Sequence, residues 1–313
     1  MITKDEVLSA AETIRGRLHR TPVFSSATLS ARVGRPVHLK AELFQRTGSF
    51  KPRGVLNKLA SLSEDERTRG VIGISAGNHA QALAWAAPLS GTDALVVMWR
   101  GADAAKLAAT RGYGAEVDLE AGDPAEAFDR LHELIEQTSR TLVHPFDDPL
   151  VIAGQGTVGL ELAEDVPELD VVVVPVGGGG LVAGIATALD VRVVAVEPER
   201  SAALHEGLAA GRSVPVSPES VADGLNAPFA GELALAICRA RDVESVLVSE
   251  TEIEEGMRFL YARAKLACEP AGAAGVAALL AGKIPLEAAS AVGVVVSGGN
   301  VGLEKASAIL GRP

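Results

Sequence analysis

Short apolar, β-branched runs alternate along this chain with segments whose apolar residues recur at helical spacing. Val71–Ile74, Ala94–Trp99, Ala115–Leu119, Leu142–His144, Val171–Val176, Arg192–Val196, Ser245–Val248 and Ala291–Val296 are expected to be strands. Between them Gln81–Leu89, Ala125–Thr138, Leu181–Leu189 and Thr251–Ala267 are expected to be helices. Such alternation predicts an α/β protein, doubly wound, with mostly parallel sheet and helices on both faces. No long Gly/Ser linker and no fixed-period repeat interrupts it, so a second lobe has to be made by the chain crossing over and back.

Ligands of doubly wound folds bind where strands end and helices begin. Three such junctions are rich in glycine and small polar residues: Ser75-Ala76-Gly77-Asn78-His79, Gly177-Gly178-Gly179-Gly180 and Ser297-Gly-Gly-Asn300. A fourth, Gln45-Arg-Thr-Gly-Ser-Phe50-Lys51-Pro52, leads into a short helix.

Composition narrows the partners. The net charge of −11 works against nucleic-acid binding, so an anionic ligand needs a locally built positive field. Cys238 and Cys268 are the two cysteines and form no CxxC, which supports neither a disulfide framework nor a zinc cage and suits a reducing cytoplasm. The N-terminal stretch has no apolar signal-peptide core. Val171–Leu189 is uncharged and long enough to span a bilayer, but Pro175 and Gly177–Gly180 break it, and a strand, a loop and a helix are expected instead. No membrane association is expected.

At Gly177–Gly180 the loop follows an apolar strand and opens an apolar helix. Glycines admit an anion close to the backbone, and the N–H groups and dipole of a helix start favour a phosphate there. Gly178-x-Gly180-x-x-Ala183, with Glu197 at the end of the next strand, also fits a dinucleotide site. This junction alone leaves NAD(P) and a smaller phosphate-bearing cofactor both open.

Lys51 bears on that choice, although taken alone it reads equally as a solvated surface lysine. It precedes Pro52, a favoured first helical residue, and follows the uncharged Thr47-Gly-Ser-Phe50. At a helix start the dipole lowers an amine's pKa slightly and favours the nucleophilic form.

Seven motifs occur in one order: Glu42-Leu-Phe-Gln-Arg-Thr-Gly-Ser-Phe-Lys51, Ser75-Ala-Gly-Asn-His-Ala-Gln81, Val151-Ile-Ala-Gly-Gln-Gly-Thr157, Pro175-Val-Gly-Gly-Gly-Gly180, Ala222-Asp-Gly224, Glu269-Pro-Ala-Gly272 and Ser297-Gly-Gly-Asn300. In these the chain resembles, over nearly its whole length, the fold-type II pyridoxal-phosphate enzymes of the threonine/serine dehydratase and serine racemase group. It is most similar to the catabolic-type threonine dehydratases. The resemblance implies two doubly wound lobes, a small one at 61–139 inserted into a large one made of 1–60 and 140–313. It implies that Lys51 carries pyridoxal phosphate as a Schiff base beside Phe50, and that Gly177, Gly178, Gly179 and Gly180 hold the phosphate. Asn78 then meets the ring hydroxyl and Ser297 the ring nitrogen, while Ser75, Ala76, Gly77, Asn78 and His79 surround the substrate.

A neutral serine opposite the ring nitrogen makes the cofactor a weaker electron sink than an aspartate would. Elimination of a β-substituent is then expected ahead of transamination. Racemisation needs a second acid/base group, which the racemase pattern supplies as a serine where this chain has Ala76; the racemase arginine matches Ala127. The family's divalent-metal site keeps only Glu197 as candidate ligand, with a carbonyl at Ser201 and Ala203 in place of an aspartate; a solvated strand-end acid is the simpler expectation for Glu197. With the sequence ending at Pro313, no C-terminal regulatory domain like that of biosynthetic threonine dehydratases is expected, and a homodimer or homotetramer is implied by the resemblance.

The expected activity is that of an L-threonine/L-serine ammonia-lyase releasing a 2-oxo acid and ammonia. Lys51 acts as general base at Cα and the cofactor phosphate assists the leaving hydroxyl. A dehydratase for hydroxyaspartate or phenylserine, a serine racemase, a nicotinamide oxidoreductase and a non-enzymatic binding protein are the alternatives. Phe146, Asp147 and Asn226 are candidates to meet the β-substituent.

Overall fold

The computed structural model describes residues 1–311, and among these the strands form two sheets. They are β1 (Val23–Ser25), β2 (Val37–Ala41), β3 (Val71–Ile74), β4 (Ala94–Trp99), β5 (Glu116–Ala121), β6 (Thr141–Leu142), β7 (Leu169–Pro175), β8 (Arg192–Pro198), β9 (Glu244–Val248) and β10 (Ala291–Val296). The larger sheet runs β1-β2-β10-β7-β8-β9 and is parallel except for β1, which pairs antiparallel with β2. The smaller, β5-β4-β3-β6, is parallel throughout. Central strands such as β3 and β10 are buried along their whole length, as sheets covered on both faces require. The chain is thus an α/β protein with two mostly parallel sheets.

β3, β4 and β10 keep the bounds expected from the apolar runs. β6 ends earlier, because His144 Nδ1 accepts the N–H groups of Phe146 and Asp147 and turns the chain out of the sheet. β1 and β2 are new. The single helix expected at Thr251–Ala267 is shorter: Glu250–Phe259 continues into a π-turn, Leu260–Ala264, and Lys265 ends it with φ 60°. Val171–Leu189 divides into β7, a loop and the helix Gly180–Ala188, and no described helix is long and apolar enough to cross a membrane.

Three helices lock the segments that matter for the site: Pro52–Ala60, which follows Lys51, Pro149–Asp165, and Gly180–Ala188, which follows the glycine run. They touch backbone to backbone. A Cβ on Gly154 would lie 2.6 Å from the Arg53 carbonyl oxygen and from Gly54 Cα, and one on Gly184 would overlap the Ile152 carbonyl. Beside this contact four charges gather, three of them buried and the fourth, Glu161, half-buried. Arg53 meets Glu42 through Nε and Nη2, both at 2.8 Å, and Glu161 through Nη1 and Nη2 at 2.7 and 2.9 Å. Lys40 Nζ donates to Glu161 at 2.7 Å and to the Thr21 carbonyl at 2.8 Å. Two cations and two carboxylates balance, with each guanidinium edge engaged in a paired bond.

Gly154→Ala should force the lysine helix off its neighbour. A loss of about 1–3 kcal/mol is expected from such overpacking. Urea unfolding should show a lower midpoint with an unchanged slope.

Candidate active site

A cavity opens where β7 and β10 end and where the segments after β2, β3 and β6 converge. Lys51 stands at the start of its helix, and its Nζ donates to the Pro145 carbonyl at 2.7 Å and lies 5.2 Å from the centre of the Phe50 ring. Burial holds the amine down at about 8, so desolvation outweighs the small dipole effect expected from the helix start. The segment before Lys51 is tied to the loop after β10. Phe50 N–H donates to the Ser297 carbonyl at 3.1 Å, Gly299 N–H donates to Gly48 at 2.9 Å, and Ser49 pairs with Gly298 as an antiparallel bridge. Lys51 and Ser297 therefore line one cavity although 246 residues apart (297 − 51).

The glycine run has two reasons for its composition. Gly179 adopts φ 95°, in the left-handed region. A Cβ on Gly178 would overlap the Phe146 ring, and one on Gly180 would come within 2.6 Å of the Phe146 carbonyl oxygen. No side chain caps the Gly180–Ala188 helix, so its first N–H groups are left to a ligand.

Asn78 opens the helix Asn78–Leu89 and lines the cavity. Its Nδ2 donates to Glu269 Oε1 at 2.6 Å and its Oδ1 accepts from Asn300 Nδ2 at 2.7 Å. Ser75, Ala76 and Gly77 are half-buried just before it, with Ser75 Oγ accepting the Gly77 N–H at 3.0 Å. His79 departs from expectation. Its ring is buried away from the cavity wall, with Nε2 donating to the Val143 carbonyl at 2.8 Å and Nδ1 left without a hydrogen-bond partner. Burial, helped by the Lys51 charge, pushes that imidazole down to about 3.

Other expectations are corrected by partners distant in sequence. Glu197 is fully buried rather than solvated: its oxygens accept the N–H groups of Leu204 and His205 at 2.8 and 2.7 Å. Burial pushes it up to about 8. Its carboxylate thus accepts from a helix start, and no group of three His, Cys, Asp or Glu suited to a metal occurs among the described residues. Asp147 caps the helix Glu232–Ala240, accepting from Glu232, Leu233 and Ala234 N–H. Asn226 closes a turn with Ser220. Of the three candidates for the β-substituent only Phe146 lines the cavity. Ala127 is buried in the core beside β3 and β4. Glu269, which had stood only as part of a motif, proves to be a buried carboxylate on the cavity wall, pushed up to about 7 by desolvation.

Residues 14–298 match the family model described as "Pyridoxal-phosphate dependent enzyme", and the chain belongs to that family. It is 42% identical to the L-threonine ammonia-lyase of Thermotoga maritima over 318 residues, covering 100% of this chain and 79% of the relative. It is 41% identical to the catabolic L-threonine dehydratase TdcB of Escherichia coli K12, covering 98% and 95%. The solved structure of maize serine racemase superposes with a TM-score of 0.93 at 36% identity, covering 96% of this chain and 94% of that one. The protein is accordingly a pyridoxal-phosphate enzyme of the fold expected from the motifs, and the nicotinamide reading falls away. The residues present fit the cofactor: a desolvated lysine, an uncapped helix start behind four glycines, and two buried polar atoms of cavity-wall residues, Gln155 Nε2 and Glu269 Oε2, without protein partners.

Labelling of the cofactor-free protein by an amine-reactive aldehyde with reductant should rise at Lys51 with a midpoint near pH 8. Solvated lysines should keep rising to above about 10. Mass spectrometry of the peptides across pH checks this.

Proposed function

We propose that this enzyme removes the β-hydroxyl and amino groups of L-threonine and L-serine, releasing a 2-oxo acid and ammonia. The observation that carries the reading is the lining of the cavity taken with the full-length likeness to threonine ammonia-lyases. Among the described residues on its wall Lys51 is the only cation, and Glu269 adds a carboxyl group. A hydroxyaspartate side chain would bring a second carboxylate with no cation to meet it, whereas hydroxyl and methyl groups suit a wall that includes Phe146 and Val176.

Pyridoxal phosphate, when bound, supplies an electron sink for the bond broken at the substrate's Cα. Lys51 would hold the cofactor, and its amine would take the Cα proton; a pKa near 8 suits it to that exchange near neutral pH. Gly177–Gly180 and the helix start behind them hold the phosphate. The helix start at Asn78 and His79, which no side chain caps, offers N–H groups to the substrate carboxylate. Ser297 presents a neutral hydroxyl to the ring nitrogen, which favours elimination over transamination. Ala76 has no proton to deliver to the opposite face, which favours elimination over racemisation.

The same reading includes the division into a large part, 1–60 and 140–313, and a small part, 61–139; β3, β4 and β5 share one sheet in its support, while β6 (Thr141–Leu142), beyond the 139/140 boundary, completes that sheet. It includes a homodimer or homotetramer in the cytoplasm. The exposed Phe24 and Phe44, edge to face at 6.2 Å, offer an apolar pair for a second copy to cover.

Borohydride reduction of the purified protein should leave a pyridoxyl group on Lys51, read by mass spectrometry of its peptide. Lys51→Ala should lower 2-oxo acid formation from threonine by about 10²–10⁴-fold, the usual worth of a general base. Faster ammonia release from hydroxyaspartate than from threonine would overturn the substrate assignment.

A further inference from the structure

Glu269 lies at the start of the helix Pro270–Leu280 with 1% of its surface exposed. A chain of side-chain hydrogen bonds begins at its Oε1, which accepts from Asn78 Nδ2 at 2.6 Å. Asn78 Oδ1 accepts from Asn300 Nδ2 at 2.7 Å, and the same Asn300 nitrogen donates to the Thr47 carbonyl at 2.7 Å. The Thr47 end can only accept, and at the other end Oε1 accepts too, so the polarity of both carboxamides between them is set. Turning Asn78 over would put its oxygen against Glu269 and its amino group against that of Asn300, losing both bonds. One Nδ2 proton of Asn78 goes to Glu269, and the second is left for the cavity that both residues line.

Two further observations mark Glu269 as part of a site. Its Oε2 is buried without a hydrogen-bond partner. Gly298, in the loop that carries Ser297, has no room for a Cβ because Glu269 Oε1 occupies the space. The charges around it are Lys106, which is paired with Asp223, Asp223 itself, and Lys305, 3.4 Å from Asp223. Near neutral pH the carboxyl can hold a proton. A proton on the unpartnered Oε2 leaves Oε1 free to accept from Asn78 in either state.

We propose that Glu269 is a positioning residue of the cofactor site: it holds the Asn78 carboxamide in one orientation, so that a proton of Nδ2 is directed at the ring oxygen of pyridoxal phosphate. This rests on the reading of Asn78 as a cofactor contact. The test is a double-mutant cycle read by cofactor binding. Cofactor-free wild type, Asn78→Ala, Glu269→Ala and the double variant are titrated with pyridoxal phosphate, following the visible absorption band, with urea midpoints measured alongside. Glu269→Ala should raise the cofactor Kd about tenfold, the loss of one hydrogen bond of ordinary strength, and displace the band. In the Asn78→Ala background it should change Kd by less than about twofold, because the residue it positions is gone. Glu269→Gln, which keeps an acceptor oxygen, should stay within about threefold of wild type. If Glu269→Ala folds poorly, Glu269→Met fills the space without an acceptor and goes through the same cycle. An equal loss with and without Asn78, or no change in Kd for Glu269→Ala, would overturn the inference. Cofactor uptake indifferent to Asn78→Ala would overturn the underlying reading of Asn78 instead.

Discussion

The buried Arg53, two residues beyond Lys51, spans the buried carboxylate of Glu42 and the half-buried one of Glu161, and the placement of the site rests on that arrangement. A lone guanidinium in the core would be strongly unfavourable, and so would either carboxylate without it. Held together, Glu42, Glu161, Lys40 and Arg53 are neutral as a set and fully engaged. The arrangement joins the segment after β2, the lysine helix and the helix Pro149–Asp165. Because Gly54 and Gly154 let the two helices touch at the backbone, the lysine helix has little freedom to slide. Lys51 inherits its position from this anchoring on one side and from the Ser49–Gly298 bridge on the other.

Burial then acts on the titratable groups around the cavity in opposite senses. It lowers the Lys51 amine to about 8 and the His79 imidazole to about 3, because both would be cations, and raises the Glu269 carboxyl to about 7, because it would be an anion. All three shifts favour the neutral form. The uncapped start of the Gly180–Ala188 helix supplies the positive end that a cavity with one cationic side chain otherwise lacks. In a protein of net charge −11 that local field has to come from oriented N–H groups and one amine.

Much of the architecture is legible along the chain. β3, β4 and β10 are apolar runs bounded by turn residues, and their ends coincide with those runs because a strand covered on both faces has to be apolar throughout. The motif junctions converge because doubly wound sheets gather their strand-to-helix loops at one edge. Lys51, Asn78, Gly177–Gly180 and Ser297 accordingly line one cavity. β2 escapes such a reading, since His38 and Lys40 interrupt its apolar pattern. Lys40 is tolerated at full burial only because Glu161, 121 residues later, reaches it.

Residue types and their order, then, determine the fold class, the cofactor family and the lysine. Only the folded chain decides what each polar side chain faces. His79, Asp147, Asn226 and Glu197 all have the right chemistry for a ligand, and each is taken by a protein partner instead. For Glu197 and Asp147 the partner is a helix start, visible in sequence as a helix but not as a neighbour. Glu269 is the converse case, a motif residue with no evident task until Asn78, 191 positions away, is laid against it. Hydrophobic period is a local property and survives in the sequence. Hydrogen-bond partnership across a sheet edge is not local, and depends on distances that only packing sets.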